Sequence, residues 1–328
     1  MRPTQDAWAV VLAAGDGTRL ASLTTDASGQ PVPKQFCSLN GGAALIQETL
    51  RRARHVAPAE RVCAIVAEQH ARHWRRLLRG LPERNVIVQP QNRGTAHGVL
   101  LSVLTILGGD PLARIVFLPA DHFVLDENAL ARALRDLVTH LAHNPDGLTL
   151  IGIEPDDPDP ELGYIVPGRP LSDGSRTVAC FVEKPPPAKA RELLGAKALW
   201  NSFIFGARAA ALLGLLRTRL GTTVEDMATS LARDARDRDA RALAQLYERL
   251  ALADFSRDIV QPATERVRVI RAPACGWNDL GTPRRVAQTL RLLGRRVSHA
   301  PGAAAAQFLP TPGLINLAAQ QARLALAG

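Results

Sequence analysis

A glycine-rich turn followed by two cationic residues is the first part of the sequence that could carry out chemistry. An apolar run at residues 7–14 leads into Gly15 and Gly17, Arg19 stands at the rim of the turn, and Lys34 follows a polar loop. Glycines adopt backbone angles that bring N–H groups close to phosphate oxygens. Arg and Lys can neutralise the phosphate charge. The pattern predicts a polyphosphate site and leaves the base open.

Two common phosphate-binding loops do not fit this spacing. A dinucleotide fingerprint requires a third glycine or alanine where Leu20 stands, and the Gly-Lys-Ser/Thr of a P-loop follows neither Gly15 nor Gly17. On the glycines alone, a strand-to-helix turn with a solvated arginine stays open as an alternative.

Two aspartates at the ends of apolar stretches supply carboxylates, Asp121 and Asp279. Mg²⁺ prefers carboxylate, phosphate and water oxygens, so two aspartates near a polyphosphate suggest a Mg²⁺ site. Each could instead cap a helix, a position that Asp favours. We expect His122 to be a structural hydrogen-bonding residue, since no second histidine lies at ligand spacing. His70 and His73 are expected on the surface.

A second polar group follows in the middle of the chain. Glu183 and Lys184 end a predicted strand, and Asn201 follows a tryptophan. Lys pairs well with a phosphate monoester and Glu can accept sugar hydroxyls, while the Asn amide suits a diol. The alternatives are a weak surface ion pair for Glu183 and Lys184 and a turn residue for Asn201.

Alternating strands and helices must position these residues. Strands are predicted at 8–13, 62–66, 86–89, 115–119 and 148–153, and helices at 44–54, 69–78, 95–107 and 129–141. This alternation predicts an α/β fold with a doubly wound, mainly parallel sheet. Short strands at 163–166, 178–183 and 203–205 indicate an insertion that supplies the second half of a ligand cleft.

The rest of the chain is mostly helical. Residues 208–251 are predicted helical, with 226–250 as an exposed amphipathic helix, and 266–271 as a late strand. We expect two parts, a catalytic domain at 1–296 and an Ala/Pro-rich linker with a short C-terminal helix at 297–328, to which we assign no chemistry.

Composition limits the class of protein. The 328 residues are 46% hydrophobic, enough for a large core, and no apolar stretch approaches the roughly 20 residues that span a bilayer. The four cysteines are scattered, which favours reduced thiols. The net charge is +9, but aromatic residues are only 4%, too few for a base-stacking surface. We expect a cytoplasmic protein with no membrane or nucleic-acid partner, whose basic surface attracts anionic substrates.

Taken together, the motifs resemble the sugar-1-phosphate nucleotidyltransferases, most closely the mannose-1-phosphate guanylyltransferases. The matching segments follow the family's order over residues 7–290, at 12–20, 33–36, 92–96, 119–122, 152–155, 163–165, 181–185, 200–202 and 276–279. The segments 33–36 and 119–122 favour the mannose/GTP branch.

The resemblance implies a Rossmann-like sheet with an inserted sugar-binding subdomain. It also implies an enzyme that makes GDP-mannose and pyrophosphate from GTP and mannose 1-phosphate by in-line attack on the α-phosphate. The implied residues are, for catalysis, Arg19, Lys34 and Asp121; for the nucleotide, Ala13, Ala14, Gly15, Gly17, Thr18, Gly94 and Thr95; for the sugar phosphate, Gly163, Glu183, Lys184 and Asn201; and for Mg²⁺, Asp121 and Asp279.

Four departures from the family's pattern bear on the substrates. Residues 21–23 replace Trp-Pro-Leu, the loop at 24–32 is long, His97 replaces a small residue or proline, and Phe203 replaces a glycine beside the expected sugar pocket. Another hexose 1-phosphate/NTP pair therefore stays open, as do a homo-oligomer and a catalytically silent relative that senses sugar nucleotides. Retention of four charged residues, Arg19, Lys34, Asp121 and Asp279, argues against silence.

Overall fold

A nine-stranded sheet runs through the computed structural model, which describes residues 7–26, 28–299 and 314–327. The strands are β1 (Ala7–Leu12), β2 (Val62–Ala67), β3 (Val86–Gln89), β4 (Arg114–Pro119), β5 (Leu148–Ile153), β6 (Tyr164–Pro170), β7 (Arg176–Val182), β8 (Leu199–Arg208) and β9 (Val267–Arg271). The described helices of at least two turns are α1 (Leu45–Ala53), α2 (Ala71–Leu77), α3 (Thr95–Leu107), α4 (Glu127–His143), α5 (Pro187–Gly195), α6 (Ala209–Leu220), α7 (Thr223–Asp237), α8 (Arg241–Arg249), α9 (Pro283–His299) and α10 (Leu317–Ala327).

The sheet has a parallel half and a mixed half. Its order is β3-β2-β1-β4-β8-β5-β9-β7-β6. Strands β3, β2, β1 and β4 are parallel to one another, and β5 is parallel to β9. Strand β8 runs antiparallel to both β4 and β5, and the inserted β6–β7 hairpin is antiparallel. The predicted Rossmann-like α/β fold is confirmed. The strand predicted at 203–205 does not belong to the insertion, because it is part of β8, which lies between β4 and β5 in the main sheet.

Helices cover both faces of the sheet. Successive side chains of a strand point to opposite faces, and Ala9 and Val11 accordingly pack in one buried cluster while Val10 packs in another. The first cluster contains the apolar residues of α1 and α4, and the second those of α3 and α6. Both faces are therefore closed, and ligands are left with the strand ends.

The prediction of one exposed helix over residues 226–250 is wrong. The segment forms α7 and α8, separated at Arg238, whose φ is +55°. The carboxylate of Asp234 accepts hydrogen bonds from the N–H groups of Ala242 and Leu243, and so caps α8. Met227 is fully buried because α7 packs against α3, α6 and α8.

The C-terminal segment packs within the chain. The Ser38 N–H donates to the Ile315 carbonyl at 2.8 Å, and the N–H of the buried Leu317 donates to the Ser38 carbonyl at 2.9 Å. Helix α9 continues to His299, past the expected domain boundary, and most of the expected linker, residues 300–313, lies outside the described residues. Within the described ranges, no helix is long and apolar enough to cross a membrane.

Candidate active site

Strand ends from both halves of the sheet open into one cleft of about 380 Å³. Twelve of the fifteen residues that the resemblance implies line it: Ala14, Gly15, Arg19, Lys34, Gly94, Thr95, Asp121, Gly163, Glu183, Lys184, Asn201 and Asp279. Ala13, Gly17 and Thr18 do not line this cavity. Segments more than 200 residues apart in the chain therefore meet in a single site, as expected for the carboxyl ends of an α/β sheet.

The glycine turn and the lysine segment are packed against each other. Gly17 has a φ of +64°, and a Cβ built on it would lie 3.0 Å from the backbone nitrogen of Lys34. The side-chain amide of Gln35 donates to the carbonyl oxygens of Ala13 at 3.0 Å and of Gly15 at 2.7 Å. Ala13 and Gly17 thus contact the lysine segment and not the cleft, and these contacts hold the glycine turn and the lysine segment together.

The aspartate between the two glycines fixes the turn to the neighbouring strand ends. The carboxylate of Asp16 accepts hydrogen bonds from Gln69 Nε2 at 2.9 Å and from Asn92 Nδ2 at 3.0 Å. His70 Nε2 lies 3.3 Å from Asp16 Oδ1. These partners follow β2 and β3, so Asp16 joins three strand ends. Our sequence analysis missed this residue, although its place between two turn glycines was a usable signal.

The expectation that His70 lies on the surface is wrong. The residue is buried because it packs edge-on against Phe36, with 5.9 Å between ring centroids, beside Asp16. Burial lowers the pKa of His70, which favours the neutral ring. His73, the second histidine, stacks on the other side of Phe36 with centroids 5.7 Å apart.

Lys34 links the two expected metal-binding segments. Its Nζ lies 3.1 Å from Asp121 Oδ2 and donates to the carbonyl oxygens of Asp279 at 2.7 Å and of Leu280 at 3.2 Å. Burial raises the pKa of Asp121, but the Lys34 ammonium, together with His122 and hydrogen bonds to the carboxylate, holds the pKa below its ordinary value. Asp121 is therefore an ionised carboxylate that faces the cleft.

A buried arginine holds the second aspartate. Arg285 Nε lies 3.4 Å from Asp279 Oδ1 and donates to Asp159 Oδ2 at 2.7 Å, and its guanidinium lies 4.7 Å above the Trp200 ring. Asp279 Oδ1 is buried and accepts no hydrogen bond within the described part of the chain. Sequence reasoning missed Arg285 because Asp159 and Trp200, which it contacts, lie far away in the chain.

Neither aspartate caps a described helix, so that alternative is excluded. The side chain of Asp126 caps α4 by accepting from the Ala129 N–H at 3.0 Å. At the start of α9, the Thr282 hydroxyl accepts from the Arg285 N–H at 3.3 Å. Asp121 and Asp279 are left free to face the cleft.

His122 is a structural hydrogen-bonding residue, as predicted. Its Nδ1 accepts from the Trp277 indole N–H at 3.1 Å, and its Nε2 lies 3.7 Å from Asp121 Oδ1. Burial lowers the pKa of His122 to about 4. The neutral ring therefore carries its proton on Nε2, directed at Asp121, and the Trp277–His122 pair supports that carboxylate from behind.

Glu183 and Asn201 form the opposite side of the cleft. A Cβ on Gly163 would lie 2.5 Å from Glu183 Oε2. Any residue other than glycine at this position would therefore force the Glu183 carboxylate to move. Burial raises the pKa of Glu183 to about 7, and the charge of Asp254 adds to the effect. Asn201 lies within β8, which excludes the turn alternative, and its Nδ2 donates to Ser256 Oγ at 3.3 Å. Sequence reasoning missed Asp254 and Ser256.

Lys184 stands beside this group at the surface. Its Nζ lies 4.0 Å from Glu183 Oε1, and its side chain is 52% exposed. Because Glu183 is largely buried, the two are not the simple surface pair that was the alternative. The ammonium is free to meet an anion that enters the cleft.

Residues 251–256 form a further wall of the cleft, which sequence reasoning did not predict. A Cβ on Gly94 would overlap the Ala253 carbonyl, which accepts from the Ala96 N–H at 3.1 Å. The Phe255 N–H donates to Thr95 Oγ1 at 2.7 Å. His97 Nε2 lies 3.0 Å from the Ala251 carbonyl oxygen. His97, which departs from the family's pattern, thus holds this wall in place.

Gln89 is a buried polar residue at the end of β3, and we did not single it out in the sequence. It lines the cleft near Gly98, and its Oε1 accepts no hydrogen bond within the described residues. A buried polar atom without a partner is costly. Gln89 Oε1 is therefore suited to a ligand that donates a hydrogen bond.

Three residues of the site have left-handed backbone conformations that favour glycine. Lys184, Phe203 and Leu280 have φ values of +47°, +55° and +50°. Such conformations cost about 1–3 kcal/mol each and concentrate at functional sites. The positive φ of Phe203 is the physical reason why a glycine suits this position.

Comparison with known proteins finds relatives that match most of the chain. The family model described as nucleotidyl transferase matches residues 8–293. The xanthan biosynthesis protein XanB of Xanthomonas campestris pv. campestris is 31% identical over 84% of this chain, and the alginate biosynthesis protein AlgA of Pseudomonas aeruginosa is 30% identical over 83%. The alignments span 58% and 56% of those proteins, so the chain matches little more than half their length.

A solved structure has a similar fold over most of the chain. The crystal structure of a mannose-1-phosphate geranyltransferase from Thermus thermophilus superposes with a TM-score of 0.72 and is 28% identical, covering 90% of this chain and 81% of that one. The glycine turn, the paired aspartates and the inserted hairpin all lie within the residues that the family model matches. The chain belongs to the nucleotidyl transferase family.

Proposed function

We propose that this chain is a Mg²⁺-dependent mannose-1-phosphate guanylyltransferase, which makes GDP-mannose and pyrophosphate from GTP and mannose 1-phosphate. The observation that carries the proposal is the meeting of two sets of residues in one cleft. Lys34, Asp121 and Asp279 suit a metal-bound triphosphate, and Glu183 and Asn201 suit a polyol. The mannose-1-phosphate guanylyltransferase RfbM of Salmonella typhimurium, 32% identical over 63% of this chain and 43% of its own length, supports the choice of sugar and base.

The charge of the cleft supports a metal ion. Three cationic residues line it, Arg19, Lys34 and Lys184, against five carboxylates, Asp121, Glu161, Glu183, Asp254 and Asp279. Two phosphorylated substrates would add further negative charge, so a divalent cation is needed for neutrality.

The residues present fit Mg²⁺. The structure contains no group of three or more His, Cys, Asp or Glu side chains suited to a metal among its described residues. Mg²⁺ needs only one or two carboxylates beside phosphates and water, and Asp121 and Asp279 both line the cleft. Asp121 and Asp279 would hold the ion, which when bound neutralises phosphate charge and polarises the phosphoryl oxygens.

The cationic side chains of the cleft would position the two anionic substrates, GTP and the sugar phosphate. The attacking phosphate oxygen of the sugar is already ionised, so the reaction needs no general base. Lys34 is held by Asp121 and two carbonyls, and therefore presents a fixed charge to the triphosphate. Arg19 meets the triphosphate at the mouth, and Lys184 meets the sugar phosphate. Positioning and charge neutralisation account for the catalysis.

Gln89 supports a guanine base. The edge of guanine offers two N–H donors beside an acceptor, and the amide of Gln89 offers an acceptor and donors in return. Within the described residues, its Oε1 is buried and accepts no hydrogen bond. This match suits GTP, and the choice of GTP over the other triphosphates rests on the likeness to RfbM.

The test is a matrix of the four NTPs and a panel of hexose 1-phosphates, with Mg²⁺, in which pyrophosphate release is measured. We expect GTP with mannose 1-phosphate to give the highest kcat/KM. Preference for another pair would reject the guanylyl or the mannosyl assignment. Binding of substrates without any turnover would support a sugar-nucleotide sensor instead.

A further inference from the structure

Phe203 occupies a bulge that pushes it out of the regular sheet. Opposite β5, Gly152 pairs with Asn201 and Leu150 with Phe205, so three residues of β8 face one of β5. The Ser202 hydroxyl closes this bulge by donating to the Ile151 carbonyl at 2.6 Å. Phe203 sits at its apex with a φ of +55°, in a region that favours glycine.

The ring of Phe203 is held in place and lines the cleft. It makes edge-to-face contacts with Phe205 and Phe255, with ring centroids 5.7 and 6.0 Å apart. Phe255 is itself fixed by the hydrogen bond from its N–H to Thr95 Oγ1. The half-buried ring is thus braced on the core side and open on the cleft side.

Phe203 is also joined to the sugar half of the cleft. Its N–H donates to Asn201 Oδ1 at 3.1 Å, and Asn201 Nδ2 donates to Ser256 Oγ. The Asn201 side chain is thereby oriented by the same bulge that exposes the ring. An aromatic ring next to an oriented amide presents an apolar surface beside hydrogen-bonding groups, the combination that suits a pyranose ring with its C–H face and hydroxyls.

We propose that Phe203 is a specificity-determining residue for the hexose 1-phosphate. Its ring contacts the C–H face of the pyranose and fills the volume that a glycine would leave open, so that larger acceptors such as 2-acetamido hexose 1-phosphates are excluded. This inference rests on the proposed function, because it assigns Phe203 to the acceptor of that same reaction.

Two variants separate the ring from the backbone conformation. Phe203→Gly removes the ring and relieves the left-handed conformation, whereas Phe203→Ala removes the ring and retains it. We expect both to raise KM for mannose 1-phosphate about 10-fold, the scale of a lost apolar contact in a binding pocket, with KM for GTP changed less than twofold. Phe203→Gly should also turn over a 2-acetamido hexose 1-phosphate at least 10-fold faster than wild type.

Arg238→Gly is the matched control, since Arg238 has the same φ of +55° at the end of α7, outside the cleft. We expect it to raise Tm, as a glycine does at this helix position, and to leave both KM values unchanged. Equal KM values for mannose 1-phosphate in wild type and both Phe203 variants would overturn the inference, as would an increase in KM for GTP alone.

Calorimetric titration of mannose 1-phosphate into wild type and Phe203→Gly distinguishes the two failures. Turnover by wild type with unchanged binding in Phe203→Gly would reject the role of Phe203 alone. Weaker binding in Phe203→Gly, without turnover by wild type, would support Phe203 and reject the proposed reaction. Absence of binding to wild type would reject both.

Discussion

The ammonium of Lys34 lies 3.1 Å from Oδ2 of Asp121 and is bound at the same time to the carbonyl oxygen of Asp279. A single buried cation therefore joins the carboxylate of Asp121 to the backbone of Asp279, the two residues proposed to hold Mg²⁺. This arrangement ties the loop after the glycine turn to the ends of β4 and β9.

Replacement of Asp121 tests this arrangement. Asp121→Asn removes the charge and keeps the size, so we expect kcat to fall by about 10²-fold or more, the scale of a lost transition-state electrostatic contact. Steady-state pyrophosphate release measures the effect. Asp173→Asn is the control, because Asp173 pairs with Arg268 outside the cleft. A near-normal kcat in Asp121→Asn would remove this residue from the reaction.

The Arg19–Glu161 pair at the mouth of the cleft should compete with the triphosphate. The two side chains are 2.9 Å apart and are 49% and 47% exposed, so their pairing contributes about 0.2–1 kcal/mol. Glu161→Gln releases Arg19, and we expect KM for GTP to fall by up to about fivefold at low salt. Arg19→Ala should instead lower kcat by about 10²-fold. A higher KM for GTP in Glu161→Gln would contradict the competition.

Gln89→Leu tests the base contact. The change removes the buried acceptor and keeps a similar volume, so we expect KM for GTP to rise about 10-fold, as for one lost hydrogen bond to a ligand. KM for mannose 1-phosphate should stay within twofold. Discrimination between GTP and UTP is the decisive quantity, and an unchanged ratio of their kcat/KM values would place the base elsewhere.

Glu183 should make stability depend on pH. Its pKa is raised to about 7 in the folded chain, mainly by burial, against an ordinary value of 4.5. The folded state binds the proton more tightly, so this contribution to stability is complete below about pH 4.5 and is lost as pH rises to about 7. Urea denaturation should show wild type losing stability relative to Glu183→Gln across this range.

Asp254→Asn serves as the companion variant. The charge of Asp254 contributes to the raised pKa of Glu183, so its removal should shift the loss of stability to lower pH. A difference between wild type and Glu183→Gln that does not vary with pH would show that Glu183 titrates normally.

The Arg285–Asp159 pair should be the main electrostatic support of the site. Both side chains are nearly inaccessible, at 3% and 6% exposure. Arg285→Met leaves a buried carboxylate unpaired, and we expect a loss of about 3–5 kcal/mol in the free energy of unfolding. The neighbouring Arg284 is 60% exposed and pairs with Asp157, so Arg284→Met should cost less than about 1 kcal/mol. Equal losses in chemical denaturation would refute the distinction.

The fold and the site differ in how far the sequence predicts them. The strands and helices of the parallel half follow from local periodicity, and helix α3 begins and ends at the predicted residues 95 and 107. Strand β8 is longer than predicted and runs antiparallel. Its pairing depends on distant strands, and the bulge at Phe203 interrupts its alternating pattern.

The residues that sequence reasoning missed share a physical cause. Arg285 is important because it is buried beside Asp159, 126 residues away, and Gln89 because its buried Oε1 accepts no hydrogen bond within the described residues. Burial of a polar side chain leaves no local signature in the sequence. Asp16 is different, because its turn between two glycines is local, whereas its partners after β2 and β3 become visible only in three dimensions.

The most direct test of the account follows both products at once. Wild type with GTP, mannose 1-phosphate and Mg²⁺ would be monitored by ³¹P nuclear magnetic resonance, beside Asp121→Asn. We predict that pyrophosphate and GDP-mannose appear in a 1:1 ratio, only when the sugar phosphate is present, and at least 10²-fold more slowly in Asp121→Asn. Release of free phosphate from GTP without the sugar, or no reaction with any hexose 1-phosphate, would contradict nucleotidyl transfer in this cleft.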